Sequence, residues 1–111
     1  MIIHKDLASG RWFKLSLVEQ LANVGVDIER TIKWRNKGEL EMSKKSFECA
    51  LELIDLTIAD PKNRKRLKEV VRAREMLVDH FVYDNEYNTT DKEWQDYFFQ
   101  FNYMAALRKG K

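Results

Sequence analysis

A run of basic side chains in the middle of the chain is the clearest chemical feature of the sequence. The segment 61–82 holds seven Lys and Arg against three Asp and Glu, and Arg64, Lys68 and Arg72 recur every fourth residue. Residues at that spacing share one face of a helix. Together with Lys65 they predict a strip of positive charge that binds the phosphates of RNA or DNA. The alternative is a solvated face paired with acidic side chains of the preceding helix.

Arg74 and His80 form the second group of side chains suited to chemistry. A histidine can act as a general base near neutral pH, and an arginine can stabilise charge that develops on a phosphate. In the alternative, Arg74 lies at the edge of the core and pairs with an acid of a neighbouring helix. His80 is then a surface residue near a helix end, where positive charge is favoured. The residues alone leave enzyme activity open.

A third set of residues predicts an interface. The segment 40–58 shows two apolar stripes on a helical projection, and the last helix shows a weaker second stripe. These second stripes consist of Met42, Cys49, Leu53, Leu56, Phe99, Tyr103 and Leu107. The four residues of segment 40–58 are covered by Trp12, Phe13 and Leu15 of the same chain, or they meet another subunit together with the three residues of the last helix. Because two-fold dimers are the commonest oligomers, we expect a homodimer.

Four amphipathic helices position these groups. Their predicted bounds are 16–37, 39–59, 61–82 and 91–108. Capping boxes at Ser16 and Thr90 start the first and the last helix, and Gly38 ends the first. Short connections favour an all-α, antiparallel up-down four-helix bundle. It forms a single domain over 16–111, and a lead-in over 1–15 packs on it.

The predicted helix over 39–59 is expected at the centre of the fold or at a subunit interface, because its two apolar stripes need covering from two directions. Asp60-Pro61 ends this helix. Asp60 is also placed to cap the third helix, with Pro61 as its first residue.

Composition limits the remaining classes of protein. The chain has 111 residues, a net charge of +2 and a single cysteine, Cys49, which excludes an internal disulfide and a CxxC zinc site. No apolar run reaches the roughly 20 residues of a membrane span, and no signal-peptide core is found, so we expect a cytoplasmic protein without membrane contact. The acidic residues between 84 and 96 lack the spacing of a calcium loop, and no Gly-rich phosphate loop occurs. We therefore expect no metal and no cofactor.

Across roughly residues 16–108 the sequence resembles the HEPN group of small helical bundles and the related nucleotidyltransferase substrate-binding proteins. The first predicted helix ends at Gly38, the second contains SFECALEL, and the third holds Arg74 and His80 at a spacing that fits the family's Arg-x(4–6)-His motif. The resemblance implies a dimer with a metal-independent ribonuclease site. In that site His80 would activate a ribose 2′-hydroxyl and Arg74 would stabilise the phosphate. It also implies a nucleotidyltransferase as a protein partner.

Part of the chain is also similar to a tetratricopeptide repeat. The residues at repeat-like spacing are Trp34, Gly38, Phe47, Ala50 and Ile54. This similarity implies a protein-interaction adaptor, with its first turn near 45–46. The sequence as a whole favours a small helical-bundle binding protein that acts through protein binding or through RNA or nucleotide binding near the third helix.

Overall fold

The protein consists of four α-helices and two short 3₁₀ helices over residues 10–109, which are the residues that the structure, a computed structural model, describes. The α-helices are α1 (Leu17–Asn36), α2 (Leu40–Ala59), α3 (Leu67–Phe81) and α4 (Asp91–Lys109), and the 3₁₀ helices are Trp12–Lys14 and Pro61–Arg66. No strand occurs in this part of the chain, and the predicted all-α bundle is confirmed. Residues 1–9 of the predicted lead-in and 110–111 of the predicted domain lie outside the described residues.

The helix ends follow the capping signals of the sequence. At the start of α1, Oγ of Ser16 accepts from the backbone N–H of Glu19 at 3.2 Å, and Oε1 of Glu19 accepts from the backbone N–H of Ser16 at 3.1 Å. Thr90 and Glu93 form the same reciprocal pair before α4. Gly38 follows α1 with φ +78°, a left-handed conformation that glycine adopts at little cost. Both predicted capping boxes are confirmed.

The third helix begins later than predicted. Pro61–Arg66 form a 3₁₀ helix, and α-helical geometry starts only at Leu67. Asp60 caps this 3₁₀ helix, since its Oδ1 accepts from the backbone N–H of Lys62 at 3.1 Å, whereas α3 itself follows Arg66 without a side-chain cap. Four of the six residues in the 3₁₀ helix are Lys or Arg. Because positive charge in the first turn opposes the helix dipole, this composition disfavours an α-helix that starts at position 61.

The central helix is α1 rather than α2, which the sequence had placed there. α1 packs against α2 on one side and against α4 on the other, whereas α3 contacts mainly α2 and the adjoining 3₁₀ helix. On the α4 side the approach is close, because a Cβ added at Gly25 would lie 2.7 Å from Cβ of Phe98. On the α2 side, Oγ of Ser43 donates to the carbonyl oxygen of Thr31 at 2.9 Å. Small and polar residues therefore form part of the buried surface of α1, and a search for apolar stripes does not detect the polar ones, such as Thr31.

Both apolar stripes of α2 are covered at least in part by the chain itself. The first stripe consists of Leu40, Phe47, Ala50, Leu51, Ile54 and Ile58. Its Phe47 contacts the ring of Phe81 in α3, with 5.0 Å between ring centroids. Leu53 of the second stripe is only 4% exposed, so it does not belong to an exposed interface. The rest of that stripe consists of the half-buried Cys49 and Leu56 and the exposed Met42. α2 also continues without a break through 45–46, where the tetratricopeptide interpretation puts a turn.

The described part of the lead-in packs on the bundle. Trp12 is buried, and its indole Nε1 donates to Oγ1 of Thr57 near the end of α2 at 3.1 Å. Within residues 10–109, none of the helices has the length and apolar character needed to cross a bilayer.

Candidate nucleic-acid interface

Four exposed cations follow one another along the second 3₁₀ helix and the first turns of α3. Arg64, Lys65, Lys68 and Arg72 are termed the basic surface here. Among residues 10–109, Arg64, Lys65 and Lys68 form no ion pair. The guanidinium of Arg72 lies 5.9 Å from the centroid of the Tyr87 ring. Positive charge that is not neutralised within the chain attracts an external anion.

The other three cations of the same segment are neutralised by carboxylates. The pairs are Lys62–Asp60, Arg66–Glu69 and Arg74–Asp55. Only the last of them reaches an acid within α2. The alternative in which this basic segment is paired with the acidic side of α2 therefore holds for Arg74 alone, in the part of the chain that the structure describes.

A groove opens between α3 and α4 next to the basic surface, with a volume of about 280 Å³. Its apolar wall is formed by Ala73, Met76, Trp94 and Tyr97, and its rim by Glu69, Arg72, Thr89 and Glu93. Arg72 thus belongs both to the groove and to the basic surface. A concave, mostly apolar site with a few polar groups at its edge is typical of ligand-binding pockets.

Hydrogen bonds hold both aromatic side chains of the groove. Nε1 of Trp94 donates to Oγ1 of Thr89 at 3.1 Å, and the hydroxyl of Tyr97 donates to Oε1 of Glu69 at 3.5 Å. Burial, and after it the carboxylate of Glu69, raise the pKa of Tyr97 to about 12, so the hydroxyl keeps its proton at neutral pH. The two rings pack edge to face with 5.6 Å between their centroids. Because Trp94 is only 6% exposed, the carbon surface of the half-buried Tyr97 ring is the larger aromatic surface left for contact with a ligand.

The loop between α3 and α4 is shaped by two polar side chains. The carboxylate of Asp79 accepts from the backbone N–H groups of Glu86 at 3.0 Å and Tyr87 at 3.1 Å. Asn85 has φ +53° and hydrogen-bonds to the backbone N–H and carbonyl oxygen of Thr89 at 3.0 and 2.8 Å. These bonds fix the positions from which Tyr87 reaches the basic surface and Thr89 reaches the groove.

His80, one of the two predicted catalytic residues, is buried rather than at the surface. Its side chain is 7% exposed, its Nε2 lies 2.8 Å from Oδ1 of Asp91, and its Nδ1 lies 3.0 Å from Oγ1 of Thr89. Burial acts to raise the pKa of Asp91, but hydrogen bonds from Arg35 and His80 outweigh it and hold that pKa below its ordinary value. Since an ionised carboxylate only accepts, Nε2 of His80 carries a proton. The expectation of a surface histidine is wrong, and both ring nitrogens have partners.

Arg74, the other predicted catalytic residue, bonds to a different acid. Its Nε donates to Oδ1 of Asp55 in α2 at 2.8 Å, in a pair that is partly open to solvent. Arg74 and His80 thus interact with carboxylates on two different helices, and neither side chain lines the groove. The geometry of Arg74 is that of the structural alternative, in which its charged head pairs with an acid of a neighbouring helix.

A buried polar network that the sequence did not predict joins the lead-in, α1, α2 and the second 3₁₀ helix. Gln20 is fully buried, and its Nε2 donates to the carbonyl oxygen of Trp12 at 3.0 Å and to Oδ2 of Asp60 at 2.8 Å. Its Oε1 accepts from Nδ2 of Asn63 at 2.8 Å. The sequence offered one signal: Gln20 lies one turn from an apolar residue of α1 on either side, a position where a polar side chain needs buried partners.

The outer side of α4 exposes a strip of large apolar side chains. Phe99, Tyr103 and Leu107, termed the outer strip, are 64%, 57% and 52% exposed, and the rings of Phe99 and Tyr103 stack with 6.4 Å between centroids. They are spaced four residues apart and so lie along one face of the helix. These three residues are predicted interface residues, and the structure places them together at the surface.

The described residues offer no obvious site for a metal. No group of three His, Cys, Asp or Glu within 10–109 could hold an ion. Burial, followed by the carboxylate of Asp27, raises the pKa of Cys49, so its thiol stays protonated and weakly nucleophilic at neutral pH.

Comparisons of the chain with protein-family models, with curated proteins and with solved structures found no match.

Proposed function

We propose that the protein binds a nucleic acid, RNA in the first instance, through phosphates that lie along the basic surface. The observation that carries this proposal is that the four cations of the basic surface have no acidic partner among residues 10–109, although Lys62, Arg66 and Arg74 of the same segment do. A cation without a partner gains free energy when it displaces counterions from a phosphate backbone, whereas a paired cation must first give up its acid.

Salt-dependent binding of labelled RNA tests this proposal with two variants of equal charge. The test variant carries Arg64→Ala, Lys68→Ala and Arg72→Ala, and the control carries Lys33→Ala, Lys44→Ala and Lys45→Ala. The control removes exposed cations of α1 and α2. Each lost phosphate contact lowers the slope of log K against log salt by roughly 0.7 on a single strand, so we expect a slope change of about 2 in the test variant alone. An equal loss in both variants, or no binding at low salt, would reject the proposal.

Cleavage of RNA by Arg74 and His80 is the competing proposal. Binding without cleavage is favoured because both ring nitrogens of His80 have partners and Arg74 is paired with Asp55. Labelled RNA incubated with the wild type and with His80→Ala separates the two proposals. Cleavage that the variant loses would support the enzyme, whereas RNA that stays intact with the wild type would support binding alone.

We further propose that two copies of the chain pair through the outer strip. Three neighbouring large apolar side chains at the surface favour burial against a partner. The segment 91–96 of α4 holds three acids and one base, and 108–109 are both basic. An antiparallel pair of α4 helices brings the acidic start of one copy next to the basic end of the other, and a two-fold axis makes this contact self-complementary.

Light scattering tests the dimer. The wild type is expected to have a dimer mass at tens of micromolar, and Tyr103→Glu a monomer mass, because the variant places a charge in the middle of the strip. Tyr83→Glu, at a position that is 72% exposed in the loop between α3 and α4, is the control. A monomeric wild type at that concentration would overturn the dimer.

A further inference from the structure

The groove begins where the basic surface ends, and Arg72 is common to both. Its volume of about 280 Å³ lies just below the roughly 300–1,000 Å³ of pockets that hold drug-sized ligands. The groove therefore has room for one planar ring system rather than for a large cofactor. A strand whose phosphates follow the basic surface passes the mouth of this groove at Arg72.

The wall of the groove suits a nucleobase. The half-buried Met76 and Tyr97 present apolar and aromatic surface, to which the 6% exposed Trp94 adds little, and the indole and phenol polar atoms already have partners. Unpaired bases of single-stranded RNA are held mainly by contact with such surfaces, since every base has an apolar face.

The rim of the groove adds a hydrogen-bond acceptor. Oε1 of Glu93 accepts from the capping residue Thr90, whereas Oε2 of Glu93 has no hydrogen-bond partner within residues 10–109. Both carboxylate oxygens of Glu69, the other acid at the rim, have partners in Arg66 and Tyr97. A carboxylate accepts from the exocyclic amino group of a base such as cytosine and repels a phosphate. The charges thus favour a base amino group at Glu93.

We infer that the groove takes one unpaired base of the bound strand, with the amino edge of that base at Glu93 and an adjoining phosphate at Arg72. This inference rests on the proposed function and names its ligand as single-stranded RNA. A base in a duplex must be unpaired and unstacked before it can enter such a site, which weakens binding of double-stranded RNA. A base with an exocyclic amino group, such as cytosine, binds more tightly than uracil.

Glu93→Gln is the sharpest test of the amino contact. Glutamine preserves the capping box with Thr90, but its amide donates as well as accepts. In fluorescence anisotropy with the full chain, the wild type is expected to bind oligocytidylate about tenfold more tightly than oligouridylate of equal length. The variant should lose this preference and keep its affinity for oligouridylate. Equal affinity of the wild type for both strands would overturn the role of Glu93.

An abasic strand with the same number of phosphates separates this inference from the proposed function. It is expected to bind about tenfold more weakly than oligocytidylate, because it offers no base to the groove. Ala73→Leu, which fills the groove from its wall, should reduce oligocytidylate binding to the abasic level, and a thermal melt checks that this variant folds. Equal binding of abasic and cytidylate strands would overturn base insertion and leave phosphate binding intact. Failure of all strands to bind, the abasic strand included, would overturn the proposed function itself.

Discussion

α1 and α3 are both amphipathic helices with several charges, yet they take different parts in the molecule. α1 lies between α2 and α4 and is buried along most of its length, down to the contact of Gly25 with Phe98. α3 buries only Val70, Leu77 and Asp79, and it leaves exposed cations on one side and an open groove on the other. Side chains of α1 that are buried against its neighbours cannot contact a ligand, whereas α3 keeps exposed side chains. The candidate site therefore lies along α3.

The largest expected effect concerns the face of α4 that packs against α1. Phe98→Ala should lower the free energy of unfolding by about 3–5 kcal/mol, because this ring is 3% exposed and packs against α1. Phe99→Ala removes the same atoms from the next residue, which is 64% exposed, and should cost no more than about 0.5 kcal/mol.

Urea unfolding of both variants at low protein concentration, where the outer strip of a monomer is open to solvent, provides the measurement. Similar losses in the two variants would mean that the packed side of α4 is not the one assigned here.

The helices themselves could be predicted because their signals are local. The capping boxes at Ser16 and Thr90, the stop at Gly38 and the apolar stripes depend on residues within a few positions of one another. The central position of α1 could not be predicted in the same way. Its contacts with α4 and α2 depend on Gly25 and Thr31 respectively, and neither residue type indicates its neighbour before the helices are in place.

The candidate site divides in a similar way. The basic surface was predictable because its cations repeat every fourth residue, and that spacing is visible in the sequence. The groove was not, because its shape depends on a loop held by Asp79 and Asn85 and on the distance between two helices. The partners of His80 were also invisible, since Asp91 and Thr89 lie in a segment whose path the sequence does not specify.

The second prediction concerns the buried network around Gln20. Gln20→Leu keeps the side-chain volume similar but leaves the bonds to Asp60 and Asn63 unmade. Since each buried polar group without a partner costs about 1–3 kcal/mol, we expect a loss of about 2–4 kcal/mol in unfolding free energy. Gln100→Leu, an exposed glutamine on α4, is the control and should change stability by less than about 0.5 kcal/mol. If Gln20→Leu leaves the unfolding free energy nearly unchanged, the buried network does not stabilise the fold.

The third prediction compares two carboxylates through their response to acid. Burial acts to raise the pKa of Asp60, but hydrogen bonds from Lys62 and Gln20 outweigh it and lower that pKa below its ordinary value of 3.8. Because the folded pKa is lower than the unfolded one, the stabilisation by this carboxylate is complete above the unfolded pKa and is lost as the pH falls through the folded pKa. The unfolding free energy should therefore decline below about pH 4, and less steeply in Asp60→Asn.

Asp91, the first residue of α4, also has a lowered pKa, but its side chain is 29% exposed, whereas that of Asp60 is 4% exposed. Solvent screens its interactions more strongly, so Asp91→Asn should change the acid slope less than Asp60→Asn does. Urea unfolding at a series of acidic pH values measures both slopes. A larger change of the acid slope in Asp91→Asn than in Asp60→Asn would mean that the more exposed carboxylate contributes more to stability, against this expectation.

The smallest expected effect concerns the ion pair that links α3 to α2. Arg74 and Asp55 meet at 2.8 Å, but both side chains are partly exposed, so a double-mutant cycle with Arg74→Ala and Asp55→Ala should give a coupling of about 0.2–1 kcal/mol. This value is far below that of the Phe98 contact because water competes for both charges. If Arg74 serves only this contact, Arg74→Ala and Asp55→Ala should leave RNA binding unchanged. Loss of RNA binding in Arg74→Ala, with Asp55→Ala unaffected, would mean that Arg74 contacts the phosphates and that the basic surface includes Arg74.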